Sequence, residues 1–210
     1  MSSRMSSLAL TTAATLALTG CAGGTTFQST WKAPDAGPLG FKGKKVVAMV
    51  VVPDVATRRG AEEELARQLT QRGVEGLPAS ALIPENEIKD KDKVKSRLEK
   101  AEVAGVVVMQ VTGKEKEITA SGPTYMGPSY GSFYGGWYGA GWGMPAYSPG
   151  YIKTDTLVYV ETLVYSLKAD KLVWAGKSKT TNPSRIDAMI KEIVAGAAGD
   201  MEKAGLIRKP

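Results

Sequence analysis

Lys45-Val46-Val47-Ala48-Met49-Val50-Val51-Val52, stopped by Pro53-Asp54, is the stretch on which the fold turns. A β-branched run without polar alternation suits a strand buried on both faces, as in the parallel part of a sheet. Such a strand needs helices on both sides of it. The residues that follow supply one. From about Arg58 to Gln71, Ala61, Leu65 and Leu69 recur at i, i+4 and i+8, and Gly73 stands where a helix ends. Glu62, Glu63 and Glu64 fall toward the positive end of that helix and spread around its circumference.

Working outward, Val74–Leu77 predicts a weaker strand and Ala81–Ile83 a short turn. Residues 85–97 are dense in charge and read as a solvated loop entering a helix, with Asp92 as N-cap and Val94, Leu98 and Ala101 facing inward. Val106–Val111 repeats the buried-strand pattern and runs on toward Ile118. The pattern resumes at Ile152, and Leu157, Tyr159, Leu163, Tyr165 and Leu167 alternating with Thr156, Val158, Val160, Thr162 and Val164 read as a long strand with two largely apolar faces. Lys168-Ala169-Asp170-Lys171 makes a turn, and Leu172-Val173-Trp174 begins the return strand of a hairpin. The last helix opens within Asn182-Pro183-Ser184-Arg185 and holds Ile186, Met189, Ile190, Ile193, Val194, Ala197, Met201 and Ala204 on one face. Gly196 and Gly199 weaken it, while their small size permits close approach to the sheet. The fold class is α/β (α+β): a mixed sheet with helices packed on it, in the order β-α-β-α-β, insertion, β-β-α. Residues 44–208 form the single domain.

The amino terminus is of another kind. Arg4 precedes an apolar stretch, Leu8–Leu18, diluted by Thr11, Thr12 and Thr15. That is shorter than the roughly 20 residues a membrane span needs and matches the hydrophobic region of an export signal. It ends in Leu18-Thr19-Gly20-Cys21, which resembles the lipobox read by lipoprotein signal peptidase. The resemblance implies that residues 1–20 are removed and that the Cys21 sulfur carries diacylglycerol. A mature lipoprotein of this kind usually bears three acyl chains. Two or more chains hold a protein stably on a bilayer, where one holds it marginally. By the same resemblance, Ala22 directs the protein to the periplasmic face of the outer membrane. Residues 21–43 read as the lipidated terminus and a flexible tether, punctuated by Gly23, Gly24, Pro34, Gly37, Pro38, Gly40 and Gly43, with Trp31 and Phe41 available to pack on the domain.

Composition narrows the chemistry. The 210 residues carry a formal charge of +6, and removing the signal takes away Arg4 and no acid, leaving +5. A basic balance favours anionic neighbours. No basic cluster is interleaved with aromatic residues, so nucleic acid is not an expected partner. Cys21 is the only cysteine, so no internal disulfide forms, and the absence of histidine removes most zinc sites and the commonest general base. Neither a metal nor a cofactor is expected beyond the covalent lipid.

Residues 121–151 contain no charged residue. Tyr125, Tyr130, Phe133, Tyr134, Trp137, Tyr138, Trp142, Tyr147 and Tyr151 are set among glycines and prolines. Tyr and Trp offer flat apolar faces with a polar tip, useful against proteins, sugars and lipid head groups. These rings are the candidate partner-binding residues.

The lipobox, the Val46–Val52 strand with Pro53-Asp54, the helix closed by Gly73 and the Val106–Val111 strand together resemble small bacterial lipoproteins of unknown function. Their α/β domain looks like the amino-terminal domain of the TolB periplasmic protein and the curli-secretion lipoprotein domain. The resemblance covers roughly residues 45–205 and implies no catalytic residues.

Enzyme chemistry finds little support in the residues themselves. No strand-turn-helix elbow frames Ser80 or Ser121. The turn Pro53–Gly60 lacks the spacing of a phosphate loop. Asp54, at the carboxyl end of a strand, is a common ligand position but also an ordinary helix cap, and Arg58 and Arg59 are an anion site or a solvated pair. The expectation is therefore a non-catalytic, outer-membrane lipoprotein acting as an interaction or assembly module of the envelope. Its partners would be membrane lipid, through the acyl chains, and an envelope protein. The alternative is a peptidoglycan or glycan binder using the same rings; an enzyme is a remote third reading.

Overall fold

The computed structural model describes residues 24–116, Tyr134 and residues 156–208. Six strands form one mixed sheet: β1 (Thr25–Lys32), β2 (Lys45–Val51), β3 (Glu75–Pro78), β4 (Gly105–Lys116), β5 (Thr156–Ser166) and β6 (Lys171–Thr181). Their spatial order is β1-β6-β5-β4-β2-β3. β2 lies parallel to β3 and β4, and the remaining pairs are antiparallel. The helices are α1 (Val55–Thr70), the single turn α2 (Ala79–Leu82), α3 (Lys91–Lys100) and α4 (Ile186–Lys203). The mixed α/β architecture is the expected one.

As its composition requires, β2 is buried on both faces. Val46, Ala48 and Val50 pack with Val107, Met109, Val158 and Val160 beneath α1 and α4. Val47 and Met49 face the other way, with Val106, Val108, Leu163 and Tyr165, and are covered by Ala79, Ile83, Val94 and Leu98 from the α2–α3 side. Two cores therefore share one sheet. Burying a side chain such as Leu65 or Ile193 is worth about 1.5–3 kcal/mol, and both are fully buried.

Several local expectations shift. α1 starts at Val55, because Asp54 caps it by accepting a 2.8 Å hydrogen bond from the Thr57 amide. Its first turn holds no acid, so Glu62–Glu64 lie beyond the positive end. The N-cap of α3 is Asp90, which accepts from the Lys93 amide, and Asp92 sits in the first turn. α4 opens at Ile186 with Arg185 in the cap position and no side-chain cap bond. Gly73 takes φ +83°, as a helix terminator does. Gly196 admits the Phe27 ring: a Cβ there would lie 2.6 Å from it. Gly199 meets nothing within 4 Å.

The main correction concerns residues 21–43, expected as a flexible tether. From Thr25 onward they belong to the fold. β1 pairs with β6 from Thr25↔Thr180 to Lys32↔Trp174. Phe27 packs edge-on against Trp174 with ring centroids 5.9 Å apart. The Thr25 amide donates to Glu192 at 3.0 Å, and Lys32 Nζ donates to the Ala204 carbonyl at 2.8 Å, both tying β1 to α4 and its end. Beyond it, Ala33 and Ala36 are buried and the Leu39 amide bonds the Leu206 carbonyl. Thr25-Thr26-Phe27-Gln28-Ser29-Thr30-Trp31 is a polar, β-prone segment suited to a sheet edge, where one side meets water. Glycines and prolines on either side disguise it. Of the two aromatics, Phe41 is half-buried against the core, whereas Trp31 stands 47% exposed.

Phe27→Ala should lower the unfolding free energy by about 2 kcal/mol, short of the 3–5 kcal/mol of a fully buried Phe. Urea denaturation of the purified domain measures it; a change within about 0.5 kcal/mol, as for an ordinary surface site, would return β1 to the status of a tether.

Candidate functional site

β2 stops at Val51, paired with Gln110, whereas β4 continues to Lys116 with β5 as its partner. On the face covered by α1 and α4, this overrun leaves a cleft of about 590 Å³ between the two helices' amino-terminal turns. Its floor is apolar: Val50, Ala61, Met109, Val158, Val160, Ile190 and Ile193. Its polar side chains are those of Thr57, Lys114, Thr156, Asn182, Ser184 and Arg185. That volume and composition fit the size range and apolar bias of small-ligand sites. Among the described residues, no Asp, Glu, Cys or His lines it. Its polar chemistry among the described residues is that of hydroxyls (Thr57, Thr156, Ser184), the Asn182 amide and cations (Lys114, Arg185), and the arrangement suits an apolar body with an anionic or neutral polar end.

The opposite face has a different character. Tyr134, from the charge-free segment, is buried in the second core. Lys95 Nζ lies 5.5 Å from its ring centroid. Burial, followed by the charges of Glu99 and Asp170, pushes the Tyr134 phenol up to about 12. Toward the overrunning ends of β4 and β5 this face turns polar: Gln110 donates to Glu161 at 2.7 Å, the Tyr159 hydroxyl donates to Glu115 at 3.3 Å, and Lys177 lies over the Tyr159 ring.

The sequence-predicted residues distribute as follows. Tyr134 is an anchor of the insertion rather than an exposed contact. Tyr125, Tyr130, Phe133, Trp137, Tyr138, Trp142, Tyr147 and Tyr151 lie outside the described residues, as do Leu18, Thr19, Gly20 and Cys21 and Ser121. Asp54 and Arg58 do not line the cleft. The hydrogen bonds from Thr57 hold the Asp54 carboxyl below the usual carboxylate range. Arg58 is buried and ion-paired with Glu85. Glu62 is fully buried, contrary to a solvated helix surface, because β3 ends at Pro78 and leaves backbone amides to satisfy. Its two carboxylate oxygens accept from the Val50 amide at 3.4 Å and the Ser80 amide at 2.9 Å, bracing α1 to β2 and α2. Desolvation nevertheless pushes its carboxyl above the ordinary range. Among the described residues, no group of three or more His, Cys, Asp or Glu converges to hold a metal, and no helix is long and apolar enough to cross a membrane.

Sequence reading missed the cleft altogether. Its floor residues carry the same signal as any core residue, and the cleft arises from unequal strand lengths. Ile186, a large apolar side chain left 46% exposed at the first position of α4, was the one local hint.

No protein-family model matches the chain, and no curated protein matches it. Among solved structures it is similar to the PelC dodecamer from Paraburkholderia phytofirmans. A form carrying a point substitution aligns at 13% identity over 84% of this chain and 96% of the other, with a TM-score of 0.44. Another crystal form aligns at 12% identity over 88% and 99%, again with a TM-score of 0.44.

Two outcomes follow from this geometry. Tyr134→Ala should cost about 2–4 kcal/mol through the cavity it leaves, read by chemical denaturation; a loss below about 0.5 kcal/mol would detach the insertion from the core. Glu62 has a folded pKa raised above its unfolded value near 4.5. Its contribution is therefore full below that pH and declines as pH rises through the folded value. The stability of the wild type relative to Glu62→Gln should fall as pH rises above about 4.5, and a rising difference would reverse the assignment.

Proposed function

We propose that the protein is a lipid-anchored, non-catalytic module of the cell envelope, held by acylated Cys21 to the periplasmic face of the outer membrane, with the aromatic segment 121–151 engaging an envelope protein partner there. One observation carries this reading: the chain from Cys21 and the aromatic segment meet the body at the same end of the sheet. Thr25 of β1 pairs with Thr180 near the end of β6, Thr181 pairs with Leu157, and Thr156 pairs with Lys116. The insertion thus leaves from Lys116 and returns at Thr156, two strands from Thr25, or about 10 Å at ordinary strand spacing. β1 begins four residues after Cys21, and four residues span at most about 14 Å. With the lipid in place, the aromatic segment has its roots at the bilayer surface, where rings with polar tips are favoured. The non-catalytic reading is supported by a described cleft lining that holds no carboxylate, thiol or imidazole and by the structural engagement of Asp54, Arg58 and Glu62.

Replacing Trp137, Trp142 and Tyr147 together with Ser, while keeping the core anchor Tyr134, should leave the denaturation midpoint within experimental error. It should lower in vivo photo-crosslinking to a mass-identified envelope protein at least tenfold. Unchanged crosslinking would remove the aromatic segment from the interface. Retention on purified peptidoglycan, lost in the same triple variant, would instead select the glycan-binding reading.

A further inference from the structure

From the cleft's place relative to the lipid-bearing residue, we infer that the α1–α4 cleft seats one acyl chain of the protein's own Cys21 lipid. This rests on the lipid-anchor reading above and adds to it a site and an occupant.

Reach comes first. Cys21 lies within about 14 Å of Thr25. Thr25 sits on β1 beside Thr180 and Glu192. The cleft floor at Val158 and Val160 belongs to β5, two strands away, about 10 Å. A lipid on Cys21 therefore reaches across the amino-terminal turn of α4 without any rearrangement of β1. Chemistry is the second argument. The floor is aliphatic from the sheet and from both helices, and along α4 it runs from Ile186 to Ile193, about 10 Å at helical rise. That suits the first part of a saturated chain and leaves the rest outside. Lys114 and Arg185 stand at the polar lining with Thr156 and Ser184, where the ester and amide carbonyls of the lipid would lie. Arg185 also pairs with Asp187 at 2.9 Å, so the mouth keeps a single net positive charge from Lys114, and its donors suit the carbonyl oxygens of a lipid attachment. The third argument is exposure: Val55 at the start of α1, Val111 one residue past the last β2–β4 pair and Ile186 at the start of α4 are exposed apolar side chains. Seating one of three chains leaves two in the bilayer, which still hold stably, and draws the cleft mouth down onto the membrane.

The test uses the full-length lipoprotein made in cells fed a palmitate analogue bearing a diazirine and an alkyne. Intact mass first establishes whether Cys21 is acylated; an unacylated mature chain defeats the lipid-anchor reading and this inference with it. In acylated protein, irradiation of isolated envelopes should give intramolecular adducts on peptides containing Met109, Val158 or Ile190. Ile190→Trp, which fills the floor, and Met189→Trp, at the half-buried lip, should each lower those adducts at least tenfold while acylation persists. Adducts confined to phospholipid or other proteins, or unchanged in both variants, would overturn the assignment. A second measurement does not depend on variants in the cleft. The Cys21→Ser chain should bind one fluorescent fatty acid, and the acylated protein should bind it at least tenfold more weakly; equal binding, or none by either form, would overturn it.

Discussion

The burial of β2 on both faces is the constraint from which the rest of the architecture follows. A strand of Val46, Val47, Ala48, Met49 and Val50 satisfies neither face against water, so it demands cover twice. α1 and α4 supply one cover, and the α2–α3 side with Tyr134 supplies the other. Because β2 is short and the antiparallel β4–β5 pair is long, the covers cannot end together. The mismatch falls at the carboxyl end of β2, where Asp54 starts α1 at once. The cleft is thus a consequence of strand length, and its apolar floor is simply sheet that the helices leave open.

The same constraint explains what could be read from the sequence. The double-sided β2 and β4 runs, the Ala61–Leu65–Leu69 stripe, the β5–β6 hairpin and the long face of α4 each rely on periodicity that survives without knowledge of neighbours. Gly73 was legible because a positive φ has a residue preference. β1 was not, because an edge strand presents one solvated side and tolerates Thr, Ser and Gln. Its identity as a strand depends on β6 and on the Gly196 gap that receives Phe27, both distant in the chain. The inward role of Glu62 was not legible for a related reason. A glutamate on a helix is ordinarily solvated, and only the early end of β3 creates the unsatisfied amides that recruit it inward.

Of the candidate site, the sequence disclosed the charge-free aromatic segment and Cys21, the residue that follows the expected signal. It did not disclose that the start of β1 and the roots of the insertion share one end of the sheet. That proximity comes from the order β1-β6-β5-β4, which gathers the start of β1, the end of β6 and both roots of the insertion at one end of the sheet. A flexible tether of some twenty residues would have let the body hang free of the membrane in any orientation. Folding Thr25–Lys32 into the sheet leaves about four residues between Cys21 and the body, which under the proposed lipid anchor would fix the end of the domain that faces the bilayer. On the proposed reading, an interaction module with so short a leash would work at the membrane surface and reach little into the space beyond.

Orientation on the bilayer is the central claim, and depth-dependent quenching measures it directly. With Cys21 acylated, single thiols introduced by Ser184→Cys, at the cleft mouth, and Ala169→Cys, in the β5–β6 turn, can each be labelled with a fluorophore on exposed positions. The two lie at opposite ends of β6, whose 11 residues span about 35 Å. Head-group quenchers should quench the label at 184 strongly and that at 169 hardly at all. Equal quenching at the two positions, or stronger quenching at 169, would contradict the account.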